Sequence, residues 1–97
     1  MTDRSTPELT IHHDGERSCF ECEVDGLRCA AEYRQSGHVM RMTHTAVPAA
    51  LEGRGIAAAL VQAAFEHARG HGLKIDPQCS YVRSYMQRHP ETQALQA

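Results

Sequence analysis

A proline at position 48 splits this 97-residue chain into two stretches with different repeats, and that split constrains the fold more than any other feature. Upstream of it, apolar residues recur with a period of two. Phe20, Cys22 and Val24 alternate with Cys19, Glu21 and Glu23, and Leu27, Cys29, Ala31 and Tyr33 alternate with Arg28, Ala30, Glu32 and Arg34. Side chains on a strand point to opposite faces in turn, so each run reads as a strand with one buried face. Asp25-Gly26 lies between them, a pair that suits the positive φ angles of a two-residue hairpin turn. After Ser36-Gly37, a third run over Val39–Val47 places Met40, Met42, His44 and Ala46 on one side. The expectation is a three-stranded antiparallel meander.

Pro48 removes a backbone donor and ends the strand pattern. From Arg54 to Arg69 the period changes to that of a helix: Ile56, Leu60, Val61, Ala64, Phe65 and Ala68 share one face, with Gln62, Glu66 and Arg69 facing water. Gly70 and Gly72 end that helix, and Leu73-Lys74-Ile75 is a short fourth strand. A second helix over Ser80–His89 is closed by Pro90. The predicted fold is therefore a compact α/β (α+β) layer structure in which a long helix covers a sheet unable to hide its apolar face alone. Residues 1–10 read as a flexible leader, 11–91 as one domain and 92–97 as a C-terminal tail.

Charge narrows the partners. Residues 1–52 hold nine acids and five bases, a balance of -4, and residues 53–97 hold three acids and five bases, a balance of +2. Phosphate-backbone binding needs clustered Lys and Arg, so a nucleic-acid surface is not expected, while a small anion in the second half is compatible. The apolar run Ile56–Val61 is far short of the roughly 20 residues that span a bilayer, so no membrane partner is expected. The first nine residues, MTDRSTPEL, lack the apolar stretch of a secretory signal, and a cytoplasmic location is the expectation.

The segment with most chemical content is Glu52-Gly53-Arg54-Gly55-Ile56-Ala57. Two glycines directly before a helix permit a tight turn and close ligand approach, and the first helical amides have no intrahelical partners. A phosphate can accept bonds from such amides and gains from the positive end of the helix dipole. The P-loop lysine is missing, as is the third glycine of the dinucleotide fingerprint. The turn alone fits two readings, an anion site and an ordinary glycine-rich helix entry.

Its surroundings favour the first. His44-Thr45-Ala46-Val47-Pro48 upstream, Ala64-Phe65-Glu66-His67-Ala68 within the helix, Pro77-Gln78-Cys79-Ser80-Tyr81-Val82 after it and Arg88-His89-Pro90-Glu91 near the end form a combined pattern. It resembles the small single-domain branch of the GNAT N-acetyltransferase family, and the likeness runs from about Ile11 to Glu91. In that family the loop begins with Arg or Gln and ends Gly-x-Gly or Gly-x-Ala. Gly55 and Ala57 meet the end of the pattern, and Glu52 stands where Arg or Gln is usual. Backbone donors rather than that side chain carry most of a phosphate contact.

The resemblance implies acetyl-coenzyme A as acyl donor and an amine, small or on a protein, as acceptor. It implies that pyrophosphate lies over the amides from about Arg54 to Ala58, that is Arg54, Gly55, Ile56, Ala57 and Ala58, with Gly53 also among the coenzyme-binding residues. It places the pantetheine arm along Thr45, Ala46 and Val47, with Ser80 and Tyr81 beside the coenzyme. It makes Cys79 the acyl-contact or acyl-carrying residue and His44 the proton acceptor or orienting group. Read from the residues alone, Cys79 is equally a buried structural cysteine, and His44 a satisfied strand histidine. No metal is expected: Cys19-x-x-Cys22 superficially resembles a zinc fragment, but positions three apart on a strand face opposite ways, and no second tight pair completes a four-ligand site. His67 and His71 are separated by the helix-ending Gly70, and Arg83 and Arg88 fit two readings, help in binding phosphate and a solvated helix face, of which the second is preferred for either alone. A non-catalytic coenzyme A or acyl-coenzyme A binding module is the alternative function, and a small interaction domain using the sheet rims is a third.

Overall fold

The structure, a computed structural model, describes residues 9–97. Its strands are β1 (His12–Asp14), β2 (Cys19–Val24), β3 (Leu27–Ser36), β4 (Val39–Ala46) and β5 (Lys74–Pro77), and its helices are α1 (Ile56–Gly70) and α2 (Ser80–Arg88). Short 3-10 turns cover Ala49–Leu51 and Pro90–Leu95. The strands form one sheet in chain order. β1 to β4 pair antiparallel, and β5 joins β4 in parallel after the α1 crossover.

The expected meander is present, and the hairpin between β2 and β3 has the anticipated chemistry. Val24 opposes Leu27 across a two-residue turn in which Asp25 and Gly26 have φ of 53° and 76°. Both central residues of such a turn need positive φ, which Asp and Gly tolerate.

Periodicity gave no sign of β1. Its sequence His-His-Asp has no apolar alternation, and it is an edge strand of only 3 residues. His13 holds it down: its ring stacks on Phe20 with centroids 4.2 Å apart, and its Nε2 lies 2.6 Å from the Tyr33 hydroxyl. The expected tail also belongs to the fold. Thr92 is only 5% exposed, and the Ala97 amide donates to the Ile75 carbonyl at 2.8 Å. Residues 1–8 of the expected leader lie outside the described residues, whereas Leu9 packs on the core.

The core lies between one face of the sheet and both helices. Phe20, Cys22, Cys29, Ala31, Tyr33, Met40, Met42 and Ile75 meet the helical stripe Ile56, Leu60, Val61, Ala64, Phe65 and Ala68. Phe65 meets Tyr85 of α2 edge to face at 5.6 Å. A fully buried aliphatic such as Leu60 contributes about 1.5–3 kcal/mol by leaving water. Cys19 and Cys22 face opposite sides of the sheet, as strand geometry requires: Cys19 opposes Glu32 on the outer face and Cys22 opposes Cys29 on the core face.

One expectation for β4 is overturned. Glu32 opposes His44 whereas Tyr33 opposes Met42, so Thr43 is an extra residue on β4, a β-bulge. The bulge reverses the alternation beyond Met42. His44 therefore shares the outer face with Glu32 and is exposed, instead of lying beside Met40 and Met42. Thr45, opposite the buried Ala31, now points to the core side.

Candidate active site

β4 runs as far as Ala46, but its pairing with β5 stops at Met42 and Pro77. The amide of Cys79 makes one more bond, to the Met42 carbonyl at 2.9 Å, and then the chain turns into α2. Beyond that bond β4 lacks a β5 partner. Open α/β sheets hold ligands in the crevice at the carboxyl ends of their strands, and this opening lies at the carboxyl ends of β4 and β5.

The chain leaves β4 through Pro48 and the 3-10 turn, whose buried Leu51 anchors the glycine turn to the core. Gly53 and Gly55 adopt φ of 86° and 78°, the left-handed region that disfavours a side chain. A Cβ on either would meet no atom within 4 Å, so the glycines are required by backbone angle, and the space around them is open. Gly55 is the N-cap of α1, makes no side-chain cap bond, and is followed by no acidic residue in the first turn. The first helical bond is Ala59 N–H to the Gly55 carbonyl at 3.1 Å. Among the described residues, the amides of Ile56, Ala57 and Ala58 find no protein acceptor.

These amides border a cleft of about 470 Å³. Thr45 and Val47 form one wall, and Gly53, Gly55, Ile56, Ala57 and Ala58 another. Leu51 and Glu52 come from the turn, and Tyr81 and Arg88 from α2. Of these, Leu51, Glu52 and Arg88 were not among the expected site residues. A signal for Arg88 was available: it follows Tyr81 by seven positions, two helical turns, so the two share a face. Burial pushes the Tyr81 phenol up, and the nearby Arg88 charge pulls it part of the way back.

Cys79 does not line the cleft wall but sits beside it, with its sulfur 3.7 Å from the Thr45 hydroxyl oxygen. It is the N-cap of α2. Burial pushes its thiol up, but the nearby amides of Val82, Tyr81 and Thr45 and the Thr45 hydroxyl outweigh this and hold it below the ordinary thiol value. The buried thiols of Cys19 and Cys22 go the other way, raised first by desolvation and then by Glu21 and Cys29 respectively. A thiolate is the nucleophilic form, so Cys79 is the cysteine of this group suited to chemistry.

The remaining expected residues lie off the cleft wall. His44 faces the outer side of β4 and makes no side-chain hydrogen bond among the described residues. Ala46 is also on the outer face, opposite Ala30. Ser80 is the exposed first residue of α2. Arg54 turns away to Asp25 of the β2–β3 hairpin, with 3.1 Å between Nη1 and Oδ2. Among the described residues no three His, Cys, Asp or Glu side chains converge in a metal-holding group, and no helix is long and apolar enough to cross a membrane.

Comparison with known proteins agrees with this geometry. The model of the GCN5-related N-acetyl-transferase family matches residues 19–95. Protein NATD1 of Mus musculus is 32% identical over 91 residues, covering 91% of this chain and 83% of its own. Protein NATD1 of Homo sapiens is also 32% identical over 91 residues, covering 91% of this chain and 80% of its own. A GCN5-like putative N-acetyltransferase from Staphylococcus aureus, solved by solution NMR, superposes with a TM-score of 0.74 at 26% identity, over 92% of this chain and 88% of that one. The α/β fold, the uncapped glycine turn and these matches lead to one conclusion: the chain belongs to the GCN5-related N-acetyl-transferase family.

Proposed function

We propose that the chain is an acetyl-coenzyme A-dependent N-acetyltransferase that transfers acetyl to an amine, free or on a protein. The observation that carries this reading is the set of uncapped amides at the start of α1, open to a cleft that leads to Thr45 and Cys79. The residues suit a phosphorylated thioester. Backbone donors and the apolar side chains of Val47, Leu51 and Ile56 share the cleft wall, and a thiol held below its ordinary value lies beside Thr45.

Acetyl-coenzyme A, as substrate, supplies an activated acyl carbon with a thiolate leaving group. The amides from Gly53 to Ala58 bind the pyrophosphate, and the free edge of β4 from Thr45 to Val47 bonds the pantetheine amides. Ser80 and Tyr81, at the start of α2, flank the acyl end. His44, on the outer face, takes the proton of an amine that approaches from the side opposite the cleft. In direct transfer the amine nitrogen bonds to the acetyl carbon, the carbon–sulfur bond breaks, and coenzyme A leaves as thiolate. In a two-step route the Cys79 thiolate first takes the acetyl group and expels coenzyme A. The amine then takes the acetyl from Cys79, gives its proton to His44 and restores the thiolate. The depressed Cys79 thiol favours including this second route.

The test is acceptor-dependent release of free thiol from acetyl-coenzyme A, with diverse amines and lysine peptides as acceptors. The reading predicts saturable release that falls sharply in Gly55→Ala. Stoichiometric labelled donor should load Cys79 and discharge on adding amine, and label persisting on Cys79 through turnover rejects the two-step route. The Glu52 carboxylate on the cleft wall favours one alternative, a non-catalytic coenzyme A binding module. Saturable coenzyme A binding without thiol release for any acceptor class selects it.

A further inference from the structure

An anion cleft would be expected to carry a side-chain cation, and the glycine turn offers Arg54. That guanidinium is instead engaged by Asp25 and does not line the cleft. The turn's other charged residue, Glu52, does line it and has the wrong sign for phosphate. Among the described residues, the one cation on the cleft wall is Arg88, from a different element. Its side chain has no ion pair and no hydrogen bond among those residues, whereas Arg28, Arg41, Arg54 and Arg69 are each paired with a carboxylate.

Its position along α2 is informative. Arg88 is the last residue of the helix and Cys79 the N-cap, nine positions earlier, which at 1.5 Å per residue separates them by about 13 Å along the axis. The helix C-terminus favours a cation. α2 therefore presents the thiol at one end and an unpaired, permanently charged guanidinium at the other, with Tyr81 between them on the cleft side. Arg88 lines the same cleft as the first amides of α1, where the coenzyme reading puts the phosphates.

We infer that Arg88, rather than Arg54, is the side chain that reads the phosphate end of coenzyme A, offsetting Glu52. This rests on the coenzyme reading of the cleft. The shared chemistry is a phosphate oxyanion, and the two sources on the same ligand are the pyrophosphate and the ribose 3′-phosphate.

The test is calorimetric titration of the full chain and its variants Arg88→Gln, Arg88→Lys, Arg54→Gln and Arg69→Gln with coenzyme A, dephospho-coenzyme A and pantetheine. Circular dichroism melts check that each variant is folded. Arg88→Gln should weaken coenzyme A about tenfold, the equivalent of about 1.4 kcal/mol, and leave pantetheine unchanged. Arg88→Lys should recover part of the loss, Arg54→Gln should lose less than about threefold, and Arg69→Gln should match the parent chain. The logarithmic salt dependence should flatten in Arg88→Gln. A loss for coenzyme A alone assigns Arg88 to the 3′-phosphate, and an equal loss for dephospho-coenzyme A assigns it to the pyrophosphate. Unchanged coenzyme A affinity in Arg88→Gln, or an equal loss for pantetheine, overturns the inference while leaving the coenzyme reading intact. Failure of the parent chain to bind coenzyme A overturns both.

Discussion

The sulfur of Cys79 lies 3.7 Å from the hydroxyl oxygen of Thr45, across the opening where β4 and β5 part. The contact exists because the Thr43 bulge turns Thr45 to the core side and because Cys79 caps α2. A thiol can donate to that oxygen, and a thiolate can accept from the rotated hydroxyl.

Thr45→Val removes this bond while keeping the side-chain shape. The Cys79 thiol should titrate at higher pH than in the parent chain, because one of the donors holding it down is lost. Iodoacetamide alkylation of Cys79, followed by mass spectrometry across pH 6 to 9, should show a slower reaction below the new midpoint and an upward-shifted profile. Cys19 and Cys22, whose thiols are raised by burial, should remain unreactive in the folded chain.

Gly55→Ala places a side chain on a residue with φ of 78°. The left-handed conformation costs an alanine about 1–2 kcal/mol. Because space around Gly55 is open, the strain should appear as a shifted turn rather than a collapsed core. Thermal melts should show a modest loss of stability, and coenzyme A affinity should fall by a larger free-energy difference.

His13, His67 and His71 form a contiguous column at the β1 edge, with ring centroids 4.4 Å apart for the first pair and 4.0 Å for the second. His13 and His67 are both lowered, first by burial and then by neighbouring imidazoles, with Asp14 opposing the shift at His13. Folding therefore favours their neutral forms. Their contribution to stability is complete above the unfolded value near 6.5 and is lost as pH falls through the folded values. Denaturant midpoints should be flat from pH 8 to 7 and fall toward pH 5, and His67→Gln should make that fall shallower.

Leu60→Ala opens a cavity at the centre of the α1 stripe, where the residue is 0% exposed. A loss of about 2–5 kcal/mol is expected. Chemical denaturation of the variant measures it directly.

Much of the fold was legible because local chemistry and tertiary structure agree. Asp25-Gly26 suits positive φ at both turn positions, and the apolar stripe from Ile56 to Ala68 has a helical period that the sheet then buries. The features that escaped the sequence depend on long-range contacts. β1 is polar and is held by His13 stacking on Phe20, and the C-terminal residues are held by Ala97 bonding to Ile75. The Thr43 bulge is a property of the β3–β4 register, and it alone moves His44 to the outer face. The glycine turn was readable from two glycines before a helix, whereas the pairing of Arg54 joins residues 29 positions apart. Arg88 was readable as a helix-face cation, and only the packing of α2 showed which surface that face borders.

The central claim concerns the free amides at the start of α1, and titration of ¹⁵N-labelled chain with coenzyme A tests it most directly. Saturable shifts should be largest at the amides of Gly53, Gly55, Ile56, Ala57 and Ala58, with a second group at Thr45 and Val47. No saturable shifts, or shifts concentrated on the outer sheet face around Glu21, Arg28 and Glu32, would contradict the account.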